Sequence, residues 1–303
     1  MNKTNLLQDT ALRYFLEVVQ RGSISEAAKH LHVTASAVSR QVSTLEEILG
    51  VSLFERMPRG MQANGAGLVL AGYARRVSLD AADVVSAIDA LQDMRNGHIR
   101  LAGAGGFAID LLPAAMVAFR EQYPGTTFTL QVEKPADVTD LVLCGEADVG
   151  LTYSRTAHKG IRVEYAQTAR VVAVMRNDHA LARLQSVTLK QLQGYPIALP
   201  GAETTVRQLF DIACCNQQTV FEPVLECNRF ETLFNFVECG GGLSIASAIS
   251  VTHRKQRDSL HYVKLREPGM GARSIQVQTL AGRHLPELVR AFIKLLEQCL
   301  KED

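Results

Sequence analysis

The spacing of apolar residues changes once along the chain, at "RNGH" (95–98), and the change divides it into two parts that cannot share one architecture. Before that point apolar residues recur at helical spacing. After it, short apolar runs of strand composition alternate with helical runs. A helical part followed by βα alternation predicts separate domains, the second built on mostly parallel sheets.

In the helical part, Leu12, Phe15, Leu16 and Val19 stand at i, i+3, i+4 and i+7, and Ile24, Ala27, Ala28 and Leu31 repeat the same spacing. Between them Gly22 is a helix stop and Ser23 an N-cap, with Glu26 three residues on as its capping-box partner. The second helix ends near Val33. Thr34 then caps a third, which buries Val38, Val42, Leu45 and Leu49 and stops at Gly50. Three short helices with such sharp joints predict a helix-turn-helix core. Opposite its apolar stripe the third helix carries Thr34, Ser36, Ser39, Arg40 and Ser43, and the acids Glu46 and Glu47 come only after the turn that would enter DNA. Small hydroxyls allow close approach to base edges, and an arginine reaches guanine or phosphate. The formal net charge is only +1, so any contact with nucleic acid must be local.

The stretch "GSISEAAKHLHVTASAVSRQVSTLEEILGVSLFER", with the wing "RMPRGMQANGAG" that overlaps its end, resembles the DNA-binding domain of LysR-type transcriptional regulators. The resemblance implies a winged helix-turn-helix over 1–63, with double-stranded DNA as partner. It implies DNA-binding residues Ser23, Thr34, Ser36, Ala37, Ser39 and Arg40, with Arg56 and Arg59 as wing and backbone contacts. In the family the third helix usually opens Ser-Gln-Pro-Ala, whereas here Thr34, Ala35, Ser36 and Ala37 stand, so the operator preference of other members does not carry over. From Asn64 to about Arg95 the chain is Ala-rich and free of proline, and predicts one long linker helix over 64–95. Leu68, Ala71, Val77, Val84, Ile88 and Leu91 give it an apolar stripe that needs a partner helix. In the family this helix pairs antiparallel with its twin, and the assembly is a tetramer of two dimers.

Residues 96–303 predict an effector-binding domain of the α/β class. Its two lobes, about 96–168 with 270–303 and about 169–269, resemble a periplasmic-binding-protein fold with a cleft between them. Within "IRLAGAGGFAIDLLP", Gly103, Gly105 and Ala108 satisfy G-x-G-x-x-A, with Glu133 ending the next strand-like run, a loose dinucleotide-binding pattern. No His-Asp or Lys-Tyr constellation stands out beside it, which leaves a nucleotide-dependent enzyme as a remote alternative. The turn reads better as a ligand cradle in which Ala104, Gly105, Gly106 and Phe107 present free backbone N–H groups. "LPGAETT" is the corresponding turn of the other lobe, offering Pro200, Gly201, Glu203 and Thr204. The family resemblance adds Thr152 and Tyr153 as a third wall. The arginine nearest to that wall in sequence is Arg155. The effector expected is a small molecule with both donor and acceptor groups.

Six cysteines stand at neither C-x-x-C nor zinc spacing, so neither metal nor cofactor is expected. They suit a reducing compartment. With no signal-peptide layout and no long apolar run, the expected location is the cytoplasm. Cys214, Cys215 and Cys227 keep open the alternative of a redox-sensing regulator on the same scaffold. The reading is thus a LysR-type regulator, not an enzyme, with DNA, a small effector and further copies of itself as partners.

Overall fold

The computed structural model describes residues 7, 9–57, 60–92, 97–154, 156–252 and 260–301. It forms two compact units, Met1–Met94 with Arg283–Pro286, and Arg95–Gly282 with Glu287–Asp303. Arg59 and Arg155 lie outside the described residues, as do the side chains of Arg56 and Leu91.

The first unit opens with Asp9, whose carboxylate accepts from the N–H groups of Ala11 and Leu12 and starts α1 (Thr10–Arg21). Gly22, at φ 65°, ends that helix and Ser23 caps α2 (Ile24–Leu31). The expected capping box is half formed: the Ser23 hydroxyl accepts from Glu26 N–H at 3.5 Å, but the Glu26 carboxylate is taken by Lys29 at 2.7 Å. α2 stops at His32, which enters the left-handed region at φ 55° and donates its N–H back to Ala28 and Lys29. Thr34 then caps α3 (Ala35–Leu49). Phe15, Val18, Ala27, Val38 and Leu53 are fully buried where these helices meet. The Glu46 carboxylate accepts from Leu53 N–H at 2.8 Å, tying the end of α3 to the wing strands β1 (Phe54–Met57) and β2 (Gly60–Ala63). Asn64 caps α4 (Gly65–Gln92), accepting from Gly67 N–H at 2.9 Å. Ala71 and Ala74 of α4 join the helical core.

The second unit contains two sheets. One has the order β4 (Thr126–Glu133), β3 (Gly97–Ala104), β5 (Val149–Ser154), β13 (Ser274–Leu280), β6 (Ile161–Thr168). The other runs β10 (Leu225–Cys227), β9 (Ile197–Pro200), β11 (Leu243–Ser247), β7 (Val171–Arg176), β12 (Leu260–Leu265), β8 (Ser186–Val187). Each has three parallel strands followed by an antiparallel return strand, β13 against β5 and β7 against β11. The chain crosses between the sheets twice, after β6 and after β12. The crossing segments are bonded to each other, Ala169 N–H to Arg273 C=O at 3.0 Å and Val171 N–H to Met270 C=O at 3.1 Å. In the first lobe the short α5 (Gly105–Ala108) follows β3, α6 (Leu111–Gln122) follows α5 and α7 (Pro135–Leu143) follows β4. In the second, α8 (Leu189–Leu192) follows β8, α9 (Thr205–Asn216) follows β9, α10 (Phe230–Glu238) follows β10 and α11 (Ile249–Thr252) follows β11. α12 (Glu287–Lys301) closes the chain and buries Phe292 among the aromatic rings of the first lobe, 5.2 Å from the Phe119 ring and 5.1 Å from that of Phe128.

Candidate DNA-binding surface and ligand cleft

α3 is the second helix of a helix-turn-helix, and its two faces are sharply divided. Val38 and Val42 are buried, while Thr34, Ser36, Ser39, Arg40 and Ser43 are exposed. The N-terminal turn is held from within: the Thr34 hydroxyl accepts from Ala37 N–H at 3.3 Å and lies 3.0 Å from Ser36 Oγ. Ala37, beside them, is half-buried and packs against the helical core. Ser23 stands at the start of α2 as its cap, and Arg56 is paired in register with Met61 in the wing. Gly60 seats the wing on the turn between α1 and α2: a Cβ there would lie 2.4 Å from Gly22 O, to which Met61 donates its N–H at 2.8 Å.

The cleft of the second unit is a cavity of about 170 Å³, smaller than the pockets that take drug-sized ligands. One wall comes from the turn after β3 (Ala104, Gly105, Gly106) and the end of β4 (Val132 to Pro135), the opposite wall from Glu203 to Val206 and from Asn228 to Phe230. Tyr153 and Arg273 also line it. Of the residues expected around the ligand, Ala104, Gly105, Gly106, Tyr153, Glu203 and Thr204 are brought together.

Four others do not line the cavity. Phe107 is fully buried with its ring stacked on Tyr153 at 4.4 Å. The Thr152 hydroxyl is likewise buried, donating to Pro135 C=O at 3.0 Å. Pro200 and Gly201 are buried behind the turn: Pro200 C=O accepts from Arg207, and a Cβ on Gly201 would run into the Glu203 carboxylate at 2.4 Å. The two glycines of the cradle also differ. Gly105 has nothing within 4 Å of a Cβ, whereas at Gly106 a Cβ would lie 2.4 Å from Ser250 Oγ and 3.3 Å from Tyr153 Oη. Gly106 therefore permits close approach of α5 to α11, and Gly105 is the position that opens on the cavity.

The side chain with the most unusual environment is Arg273, which leads into β13. It is 3% exposed. Its guanidinium lies over the Tyr153 ring at 4.2 Å, and Nη1 donates to the Thr205 hydroxyl at 2.6 Å. Nε and Nη2 have no hydrogen-bond partner among the described residues. Burial pushes the Arg273 guanidinium down from its ordinary value, and burial likewise pushes the Tyr153 phenol up, partly offset by the arginine's charge. Arg155, the arginine expected near this wall, lies outside the described residues; sequence reasoning misses Arg273. Its signal is an arginine opening the strand "RSIQVQTLA", which only the crossover topology brings to the cleft.

All six cysteines lie among the described residues, and none is in a disulfide. Cys214 is buried, and burial pushes its thiol up to about 11. Cys215 is exposed, and Cys227 Sγ accepts from Arg229 N–H at 3.5 Å. Among the described residues no cluster of His, Cys, Asp and Glu could hold a metal ion, and no helix is long and apolar enough to cross a membrane.

A winged helix-turn-helix with a polar face on its second helix, carried on one chain with a two-lobed cleft domain, defines a ligand-responsive DNA-binding protein. The chain belongs to the LysR family of bacterial transcriptional regulators. Residues 10–68 match the bacterial regulatory helix-turn-helix domain of that family and residues 92–300 its substrate-binding domain. It is 23% identical to the transcriptional regulator AlsR of Bacillus subtilis (strain 168) over 80% of this chain and 84% of that one. Among solved structures it is similar to a cysteine-to-aspartate variant of full-length OxyR from Pseudomonas aeruginosa, with a TM-score of 0.66 at 18% identity over 99% of this chain and 95% of that chain. It is also similar to full-length CbnR in complex with its target DNA, with a TM-score of 0.56 at 20% identity over 95% and 98%. The protein is accordingly a DNA-binding transcriptional regulator with an effector-binding domain of periplasmic-binding-protein type, and its family consists of regulators rather than enzymes.

Proposed function

We propose that the exposed face of α3 reads operator DNA in the major groove and that the cleft of the second unit holds the effector to which operator binding responds. The observation that carries the reading is the division of α3: three hydroxyls and Arg40 face solvent toward its capped N-terminal end, while the opposite face is core. Ser36, Ser39 and Arg40 are the direct readers. Thr34 and Ser23, as caps, position the backbone, and Arg56 and Arg59 hold phosphates. The effector contacts Gly105, Thr204 and Tyr153 in the cleft, with Glu203 at its rim. The protein acts in the cytoplasm as a dimer joined through α4, two dimers making a tetramer. That pairing is supported by Val84 and Ile88, one helical turn apart and 49% and 51% exposed.

The experiment is a selection of genomic DNA fragments by the intact protein. The wild type is expected to enrich a discrete set of interrupted pseudopalindromes and Arg40→Ala to lose that enrichment while still holding random DNA. Equal losses on selected and random fragments would make α3 a phosphate-binding helix and overturn the assignment.

A further inference from the structure

Resting on the assignment of the cleft as the effector site, we propose that the effector is a small organic anion whose carboxylate is taken side-on by Nε and Nη2 of Arg273. The guanidinium of an arginine that is 3% exposed is ordinarily paired with a carboxylate. This one is not: its one hydrogen bond among the described residues uses Nη1, and no ion pair with it forms among them, although Glu133 and Glu203 line the same cavity. Both carboxylates are exposed at the rim, and that of Glu203 folds back toward Gly201. Nε and Nη2 lie on one edge of the planar guanidinium, the edge whose two parallel N–H bonds match the two oxygens of a carboxylate.

The surroundings fix which edge of the guanidinium remains available. Its flat side rests on Tyr153, whose ring is backed by Phe107, and Nη1 is held by Thr205. Thr205 and Val206 open α9, a helix of 12 residues, and both line the cavity, so the positive end of its dipole adds to the charge of Arg273. An anion there neutralises a buried cation that sits where the chain crosses between the lobes and is bonded to Thr205 on the second lobe. Occupancy is thereby tied to how the lobes stand.

The test uses the full-length protein and matched probes that differ in charge and little else: sodium acetate against acetamide and sodium benzoate against benzamide, at constant sodium chloride. The readouts are thermal unfolding and calorimetric titration. The wild type should be stabilised by the carboxylates and not by the amides. Arg273→Gln should weaken carboxylate binding by at least about tenfold, the loss expected for charge-assisted hydrogen bonds, and leave the amides unmoved. Arg273→Lys, which keeps the charge but not the fork, should fall between. Equal responses to acid and amide in the wild type, no response to any carboxylate, or an undiminished carboxylate response in Arg273→Gln would each overturn the proposal. The wild-type comparison needs no variant to fold. Carboxylate binding by the wild type that leaves its operator affinity unchanged would instead fault the effector reading and leave the anion site standing.

Discussion

Among single residues, the two glycines after β3 show how differently neighbours in one motif are constrained. Both read alike in sequence, as openings for a ligand. Only the close approach of Ser250, far along the chain, makes Gly106 a packing position. Gly106→Ala should cost about 1–3 kcal/mol by overpacking, and Ser250→Ala should recover part of that loss. Urea unfolding of the two single variants and the double variant tests this; strictly additive losses would contradict it. Gly105→Val should leave stability nearly unchanged and fill the cleft. Cys214 supplies a second expectation. A thiol moved from 9.0 to about 11 has about a hundredfold less thiolate at neutral pH, and raising the pH toward 11 restores it. Alkylation at about pH 7.5 followed by peptide mass mapping should therefore label Cys215, which is exposed, well before Cys214, which is buried. Preferential labelling of Cys214 would revive the redox alternative. At the DNA face, Ser36→Ala and Arg40→Ala should each weaken operator binding by up to about 1–3 kcal/mol and random-DNA binding by less. A fluorescence-anisotropy comparison of both DNAs measures the difference.

For the elements, legibility follows local chemistry. The caps at Ser23, Thr34 and Asn64 and the stops at Gly22 and Gly50 act within a few residues of themselves, so the three helices and the start of α4 are readable directly. The strand β6 is not. It is an edge strand, half exposed with no fully buried position, and its partner β13 lies more than a hundred residues later. Ala37 is half-buried against the helical core, and a small side chain at the start of a helix carries no signal of which face it takes. α4 is the element whose role depends most on what lies outside one chain. Its first turns pack Ala71 and Ala74 into the helical core, while Val84 and Ile88 are left exposed. Val84→Asp would bury an unpaired charge against a partner helix and should dissociate the dimer, read by sedimentation velocity. An unchanged assembly would mean that this face is covered in some other way. Asn64→Ala removes the cap of α4 and should cost about 0.5–2 kcal/mol in thermal unfolding.

Across the whole molecule, a reading domain and a sensing domain stand on one chain, and the sensing domain is built from two sheets that the chain crosses twice. The turns at 103–107 and 200–205 are legible as facing walls because each is a glycine-bearing strand-to-helix junction. Arg273 is not, because nothing near it in sequence marks it as facing Tyr153 and Thr205. Its place follows from the return of the last strand to the first sheet. Occupancy of this cleft is expected to alter operator binding. The most direct test is the affinity of the intact protein for a selected operator, with and without a low-molecular-weight extract of the source cells, for the wild type and Gly105→Val. An extract-dependent change is expected in the wild type, and Gly105→Val should lose it while keeping its basal affinity. An equal change in both proteins would contradict it.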